Sequence, residues 1–271
     1  MSAAAPILPD LRLIQAATAI DIAYTRDRLA VIAGAPGNPF GVEIRDFGRG
    51  TAFQARAMPS PNFNRAVGFT DETLDGARQV MDWFKATGSR FDIAPGLETR
   101  RLRDLLAGRG YIQAEFHATL VAGPKLPEAT PSAVDVRRVQ SAEDLEHFLD
   151  VYLAGWGMPE VIWHGAKANM RGWRDRDGWT LYLGEYRGQP AGAAVLFVAD
   201  GVAYLADAAT APEFRDHGVH RALLDRRCAD AAQLGVQHIF SQAAYLSTSY
   251  RNMIGKGLGL LYNQVIWRPA A

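Results

Sequence analysis

The residues best suited to chemistry lie in one stretch, TAPEFRDHGVHRALL, at positions 210–224. A strand-like run at 202–209 precedes it and a helical run at 221–234 follows it, so the stretch reads as a turn between strand and helix. The first N–H groups of a helix lack partners within it, and the helix dipole adds roughly half a positive charge there. Arg215 can fork onto phosphate oxygens, and Gly218 permits close approach of the backbone to a ligand. The turn is therefore a candidate anion site; the alternative is a surface turn that binds nothing.

The elements around this turn must position it. Downstream, the pattern predicts a buried strand at 236–243, a short helix at 247–256 with Ser247 or Thr248 as N-cap, and a final strand at 261–267. Upstream, it predicts a strand at 134–139, an amphipathic helix at 142–153, and two strands joined by a turn at 179–186 and 191–198.

This turn resembles the pyrophosphate loop of the GNAT superfamily of acyl-CoA-dependent N-acyltransferases. The family pattern, Arg/Gln-x-x-Gly-x-Gly/Ala before a Leu-rich helix, is matched by Pro212, Arg215, Gly218, Ala222, Leu223 and Leu224. His220 departs from it, because it occupies the usual second Gly/Ala; its side chain would either crowd the pyrophosphate or add a hydrogen bond to it. The order of elements over residues 133–269 matches the GNAT fold, and the resemblance implies acetyl-CoA as the acyl donor.

The resemblance also implies which residues bind acetyl-CoA. The strand before the loop offers backbone groups to the pantetheine arm and an N–H group to the thioester carbonyl, and by position these residues are Ala208, Ala209 and Thr210. The pyrophosphate would lie on the backbone of Arg215, Asp216, His217, Gly218, Val219, His220 and Arg221. Asn252 can bond the CoA arm, although an Asn there is equally compatible with an exposed helix face.

Two side chains are predicted to transfer protons. Asp207 is the first candidate for a general base, because it sits beside the presumed thioester and an interior carboxylate without a partner is costly. Its alternative role is a structural hydrogen bond, and Glu185 on an adjacent strand is a second candidate base. The family often places a Tyr four residues before the closing Gly; that position is Met253 here, so Tyr250, one turn earlier, is the predicted proton donor. Alternatively, Tyr250 only covers the helix and the proton comes from water.

The composition is that of a globular enzyme. The 29 basic and 29 acidic residues give a formal net charge of zero, which provides no argument for nucleic acid or an anionic membrane as partner. A single cysteine, Cys228, cannot form an internal disulfide. No apolar run approaches the roughly 20 residues that span a bilayer, and the N-terminus lacks a signal-peptide pattern, so we expect a cytoplasmic location. The histidines lack metal-ligand spacing, and we expect no metal.

The first half of the chain repeats the plan of the second, with predicted helices at 16–34, 71–87 and 99–106 and strands at 40–45, 51–57, 63–69, 91–93 and 112–121. No Arg-x-x-Gly follows its third strand; Asp71, Glu72 and Asp75 stand there instead, and carboxylates at that position repel a pyrophosphate.

We therefore predict an α/β (α+β) protein of two GNAT-like domains, each a mixed, mostly antiparallel sheet flanked by helices. Residues 1–122 would be a degenerate domain without the pyrophosphate loop, 123–132 a linker, and 133–271 the acyl-CoA-binding domain. An unrelated α+β domain is the alternative for the first half.

Four of the six tryptophans, Trp156, Trp163, Trp173 and Trp179, fall within residues 155–179, where the resemblance places acceptor contacts. An aromatic wall there would favour an apolar or cationic acceptor, unless these rings pack the domains together. The leading hypothesis is an acetyl-CoA-dependent N-acetyltransferase acting on a primary amine of a small molecule or peptide, as a monomer or homodimer. A catalytically idle acyl-CoA sensor and a scaffold that binds no CoA are the alternatives.

Overall fold

The helices and strands follow the predicted order closely in a computed structural model, which describes residues 7–58, 60–84, 90–96, 99–124 and 133–270. The α-helices are α1 (Leu11–Ala33), α2 (Leu74–Phe84), α3 (Arg100–Gly108), α4 (Ala142–Gly155), α5 (Trp163–Met170), α6 (Val219–Gln233) and α7 (Thr248–Lys256). The strands of the first half are β1 (Val42–Phe47), β2 (Gly50–Ala55), β3 (Arg65–Val67), β4 (Arg90–Ile93) and β5 (Tyr111–Ala122). The later strands are β6 (Val134–Arg138), β7 (Trp179–Tyr186), β8 (Gln189–Ala199), β9 (Val202–Thr210), β10 (His238–Ala244) and β11 (Gly259–Pro269).

The chain divides into two units. The first unit comprises Leu8–Thr119 together with the chain end from Leu261, and the second unit is built on Leu120–Leu260. The predicted boundary differs at the C-terminus, because it assigned all of 133–271 to one domain. The difference has a physical origin: β11 pairs with β4, joining Val265 to Ile93 across an antiparallel ladder. Most of the predicted linker, residues 125–132, lies outside the described residues.

The second unit contains the strand order β10-β9-β8-β7-β6. Pairing is antiparallel throughout except between β9 and β10, which are parallel and connected by α6. Helices α4 and α6 pack on β8 and β9. Leu183, Val195 and Leu223 are all fully buried in this core. The unit therefore places the N-terminus of α6 directly after β9, at the turn that the sequence singles out.

The first unit contains the strand order β1-β2-β3-β4-β11-β5, with β3 and β4 parallel and joined by α2. Its core is aromatic: the Phe91 ring lies 5.6 Å from Phe69, 6.3 Å from Phe84 and 5.7 Å from Tyr111 between centroids. The succession β3-α2-β4 thus has the same parallel crossover as β9-α6-β10. The predicted fold class, a mixed and mostly antiparallel sheet flanked by helices, is confirmed.

A buried ion-pair network that the sequence pattern did not predict also lies in the first unit. Arg65 donates to Asp21 at 2.8 Å and to Asp92 at 3.0 Å, and all three side chains are buried. Burial opposes the charge on Arg65, but the two carboxylates outweigh it and raise the pKa of the guanidinium. Removing Arg65 would leave buried carboxylates without their shared partner, which is strongly destabilising.

Two local differences from the predicted elements have simple causes. Helix α1 begins at Leu11 rather than at residue 16, because the Asp10 side chain accepts the Leu13 N–H at 2.8 Å and caps the earlier turn. Helix α5 lies in a stretch for which the sequence predicts no element. It is short and half-exposed, so its sequence shows only a weak apolar pattern. Among the described residues, no helix is both long and apolar enough to cross a membrane.

Candidate active site

The turn between β9 and α6 leaves a helix N-terminus without a side-chain cap. Gly218, the N-cap of α6, has a φ of 81°, a left-handed conformation that glycine adopts at no steric cost. In contrast, Ser141 caps α4 and Ser247 caps α7. Gly218 has no side chain that could accept the first-turn N–H groups of α6, and the exposed Arg215 lies in the same turn. This combination is what an anion site at a helix N-terminus requires.

The loop is held in shape by its own contacts. The Nδ1 atom of His217 lies 2.7 Å from the Arg215 carbonyl oxygen, and the imidazole packs on Tyr186 with ring centroids 4.7 Å apart. Arg215 Nη2 donates to the carbonyl oxygen of Gly155 at 3.4 Å. These contacts make His217 part of the loop framework.

His220 is directed towards α7. Its Nε2 lies 3.2 Å from Ser249 Oγ, and its Nδ1 lies 3.2 Å from Asn252 Nδ2. Burial, assisted by the charge of Arg227, lowers the pKa of His220 to about 4, so the imidazole is neutral at pH 7. Its ring therefore joins the first turn of α6 to α7, where its polar neighbours are Ser249 and the predicted CoA-binding Asn252.

Strand β9 carries a bulge next to the turn. Val195 pairs with Ala206 and Ala193 pairs with Ala209, so Asp207 and Ala208 together stand opposite one residue of β8. Asp207 adopts a φ of 45°, which is uncommon for a residue with a side chain. The bulge changes the direction of the backbone at Ala208–Thr210, the positions predicted to meet the thioester.

Beside this bulge, strands β9 and β10 separate. The pairing of β9 with β10 covers Val202–Leu205 among the described residues, whereas β9 continues to Thr210. On the same stretch, the last residue of α4 comes very close: a Cβ on Gly155 would lie 2.8 Å from Ala209 Cβ and 3.0 Å from the Thr210 backbone. The end of β9 is thus free of a parallel partner and is supported by α4. Gly155 was not predicted, because nothing in its local pattern reports this distant contact.

The two predicted proton-transfer residues lie on neighbouring elements. Asp207 is half-buried in the β9 bulge, and Tyr250 is half-buried in the first turns of α7, which follows β10. The Tyr250 ring packs edge-on against Tyr245, with centroids 5.3 Å apart. Met253 is 3% exposed and belongs to the core, so the position where the family often has a Tyr is filled by packing. Tyr250 and Met253, three residues apart, differ in burial.

Glu185 is the weaker candidate base. Arg137 Nη2 donates to its carboxylate at 2.9 Å, and its strand, β7, is separated from β9 by β8. The ion pair with Arg137 gives Glu185 a structural role at the edge of the sheet.

The four clustered tryptophans differ in burial. Trp173 and Trp179 are buried and pack in a row with Tyr152 and Phe197 within the second unit, with centroids 5.4–5.8 Å apart. Trp163 is half-buried and donates its Nε1–H to the Met158 carbonyl at 2.8 Å. Trp156 is 52% exposed. An aromatic acceptor wall can therefore use Trp156, while Trp173 and Trp179 form core.

The corresponding turn of the first unit, between β3 and α2, carries the carboxylate of Asp71. Asp71 accepts the backbone N–H groups of Arg101 at 3.1 Å and Leu102 at 2.8 Å, at the N-terminus of α3. Thr70 caps the 3-10 turn in which Asp71 lies. A negative side chain thus occupies helix-terminal donors in this half.

Within the ranges that the structure describes, His, Cys, Asp and Glu side chains form no group of three or more suited to a metal ion. Cys228 is buried, and burial raises the pKa of its thiol to about 11. The thiol is therefore protonated at neutral pH and packs as an apolar group.

Comparison with known proteins agrees with this geometry. Residues 125–240 match the family described as the acetyltransferase (GNAT) domain. The fold is similar to a GCN5-related N-acetyltransferase from Kribbella flavida, with a TM-score of 0.62 and 14% identity over 94% of this chain and 96% of that one. A GCN5-related N-acetyltransferase from Sphaerobacter thermophilus gives 0.58 and 14%, over 96% and 94% of the two chains. No curated protein matches the sequence.

Proposed function

We propose that the chain is a member of the GNAT superfamily, because residues 125–240 match its acetyltransferase domain, and that it transfers an acetyl group from acetyl-CoA to a primary amine of a small molecule or peptide. The observation that carries the proposal is the uncapped N-terminus of α6 directly after the bulged, separated end of β9. The N-terminus of α6 supplies N–H donors for the pyrophosphate, and the end of β9 supplies backbone N–H groups for the thioester.

The residues of this turn fit a pyrophosphate. Arg215 is exposed, and its guanidinium can fork onto phosphate oxygens. The backbone from Arg215 to Arg221 supplies N–H donors, and the left-handed Gly218 lets the ligand approach without a side chain in the way. Asn252, beside His220, is placed on α7 to bond the CoA arm.

The chemistry requires two proton transfers. The amine nitrogen forms a bond to the acetyl carbon while the C–S bond breaks, so one amine proton must leave and the thiolate must gain one. We assign the first transfer to Asp207 as general base and the second to Tyr250 as general acid. Backbone N–H groups of Ala208, Ala209 and Thr210 would polarise the thioester carbonyl. Acetyl-CoA supplies only the activated acyl group.

We further propose that the first unit is a GNAT-like repeat that binds no CoA. It repeats the parallel crossover β3-α2-β4, and Asp71, Glu72 and Asp75 stand at the N-terminus of α2, the counterpart of the N-terminus of α6. A phosphate there would meet a carboxylate instead of free donors. Activity would then reside in the second unit, with Trp156 available to an apolar or cationic acceptor.

The function is tested by thiol release. With acetyl-CoA and a panel of primary amines, the protein should release free CoA thiol and form the acetylated amine. CoA alone at about 100 times its Kd should stabilise the fold by about 2.7 kcal/mol. Stabilisation without thiol release from any amine would favour the acyl-CoA sensor, a reading that the buried Met253 keeps open. Absence of stabilisation would favour the scaffold.

Replacing Arg215 by Glu should abolish the CoA-induced stabilisation, because a carboxylate would replace the forked cation beside the pyrophosphate. The measurement is the shift of the thermal midpoint with CoA. Arg78→Glu is the matched control: it makes the same charge change on the exposed face of α2 and should leave the CoA shift intact. An unchanged shift in the Arg215 variant would refute the loop assignment.

Replacing Tyr250 by Phe should lower kcat by about 10²-fold, the low end of the contribution of general acid–base catalysis, because only the hydroxyl that protonates an already good leaving group is removed. Tyr245→Phe provides the control, since the Tyr245 ring packs against Tyr250 and is 46% exposed. Steady-state thiol release from both variants measures the effect. Equal rates in the two variants would mean that the proton comes from water.

A further inference from the structure

A buried arginine lies beneath the β9 bulge. Arg227 of α6 is 2% exposed. Its Nε donates to the carbonyl of Leu223, and its Nη1 donates to the carbonyls of Val195 and Ala206, each at 3.1 Å. All of these acceptors are backbone carbonyls. In the sequence, Arg227 reads as one of several charged residues on a helix surface.

The two strand carbonyls mark where the bulge begins. Val195 and Ala206 are the last residues paired in regular register before the shift, and Asp207 follows Ala206 directly. The Nη1 atom of Arg227 therefore links β8 to β9 directly before Asp207, the residue with a left-handed backbone conformation. Removing this donor would leave two buried carbonyls to find other partners.

Packing alone does not require a charge at this position. A methionine or leucine would fill a similar volume without the cost of desolvating a guanidinium. Burial lowers the pKa of Arg227 to about 10, while the nearby Asp207 carboxylate favours its charged form. The group is hence protonated at neutral pH, and a fixed positive charge lies on the α6 side of the bulge.

We propose that Arg227 is a positioning residue for acyl transfer: it holds the β9 bulge in register and supplies fixed positive charge behind the backbone that meets the thioester. The proposal rests on the acyl-transfer function proposed above. Two consequences follow. The N–H groups of Ala208–Thr210 keep their orientation towards the thioester during the reaction. The positive charge of Arg227 also stabilises the negative charge that develops on the thioester carbonyl oxygen in a site of low dielectric.

The test compares three variants after thiol release by the wild type has been established. Arg227→Met should lower kcat by about 10²-fold, with KM for acetyl-CoA within about threefold of wild type, because the pyrophosphate loop is untouched. Arg227→Lys, which keeps the charge and part of the hydrogen bonding, should recover at least about tenfold of that loss. Arg226→Met removes the neighbouring, half-exposed arginine, which binds Asp230 instead of the bulge, and should leave kcat unchanged.

A wild-type kcat in Arg227→Met would overturn the proposal, as would loss without any recovery in Arg227→Lys. If the Met variant does not fold, Arg227→Gln, which removes the charge but keeps an amide donor, takes its place: a lower kcat at unchanged KM supports the role, and an unchanged kcat refutes it. Amide hydrogen exchange at residues 206–210 gives a readout that does not depend on activity. Faster exchange in the Lys or Met variant supports positioning of the bulge even if every amine fails as acceptor; unchanged exchange refutes it.

Discussion

Replacing Asp207 by Asn is expected to lower kcat by about 10²-fold to 10⁴-fold, the range that a general base contributes. The substitution removes the proton acceptor and keeps the shape of the side chain. Asn also tolerates the left-handed conformation that Asp207 adopts, with a φ of 45°, so the bulge should persist. CoA-induced stabilisation should therefore remain at its wild-type value, because the pyrophosphate loop is unaltered.

The matched control for this variant is Asp200→Asn. Asp200 is also left-handed, with a φ of 48°, and lies exposed in the turn at the other end of the β8–β9 pair. The same chemical change there should leave both kcat and CoA binding unchanged. If Asp207→Asn keeps wild-type kcat, the carboxylate serves the structure only, by its contact with neighbouring groups, and the base must be sought elsewhere.

The sequence was sufficient to locate the turn, because its signals are local. Pro212, Arg215 and Gly218 sit between a strand pattern and a helix pattern, and the structure has β9 end at Thr210 and α6 begin at Val219. The fold class followed from the same local patterns. Ser247 as N-cap of α7 was also readable, since capping is decided within one turn.

The residues that were missed depend on contacts between distant segments. Arg227 is buried only because β8 and β9 pair beneath α6. Gly155 matters only because α4 ends against Ala209. His220 was identified, but the direction of its ring is set by Ser249 and Asn252 on α7. Similarly, a strand pattern at 261–267 predicts a strand without saying that it pairs with β4.

Replacing Gly192 by Ala is expected to lower the free energy of unfolding by about 1–3 kcal/mol, the usual cost of overpacking a core. A Cβ on Gly192 would lie 2.3 Å from Val219 Cγ1 and 2.7 Å from Leu223 Cδ1. Both side chains are buried in α6, so α6 must move away from β8. Val219 directly follows Gly218 in the loop, and CoA affinity should therefore fall together with stability.

Gly184 supplies an unusually close control, because it is the cross-strand partner of Gly192 beneath the same helix. A Cβ on Gly184 would meet Leu223 and Val219 at 3.5–3.6 Å, which is ordinary van der Waals contact. Gly184→Ala should thus keep both stability and the CoA shift near wild type. Denaturant unfolding and thermal midpoints, each with and without CoA, separate the two variants. Equal behaviour of both would mean that α6 adjusts freely on the sheet, and the close fit of α6 to β8 would then have no part in holding the phosphate loop.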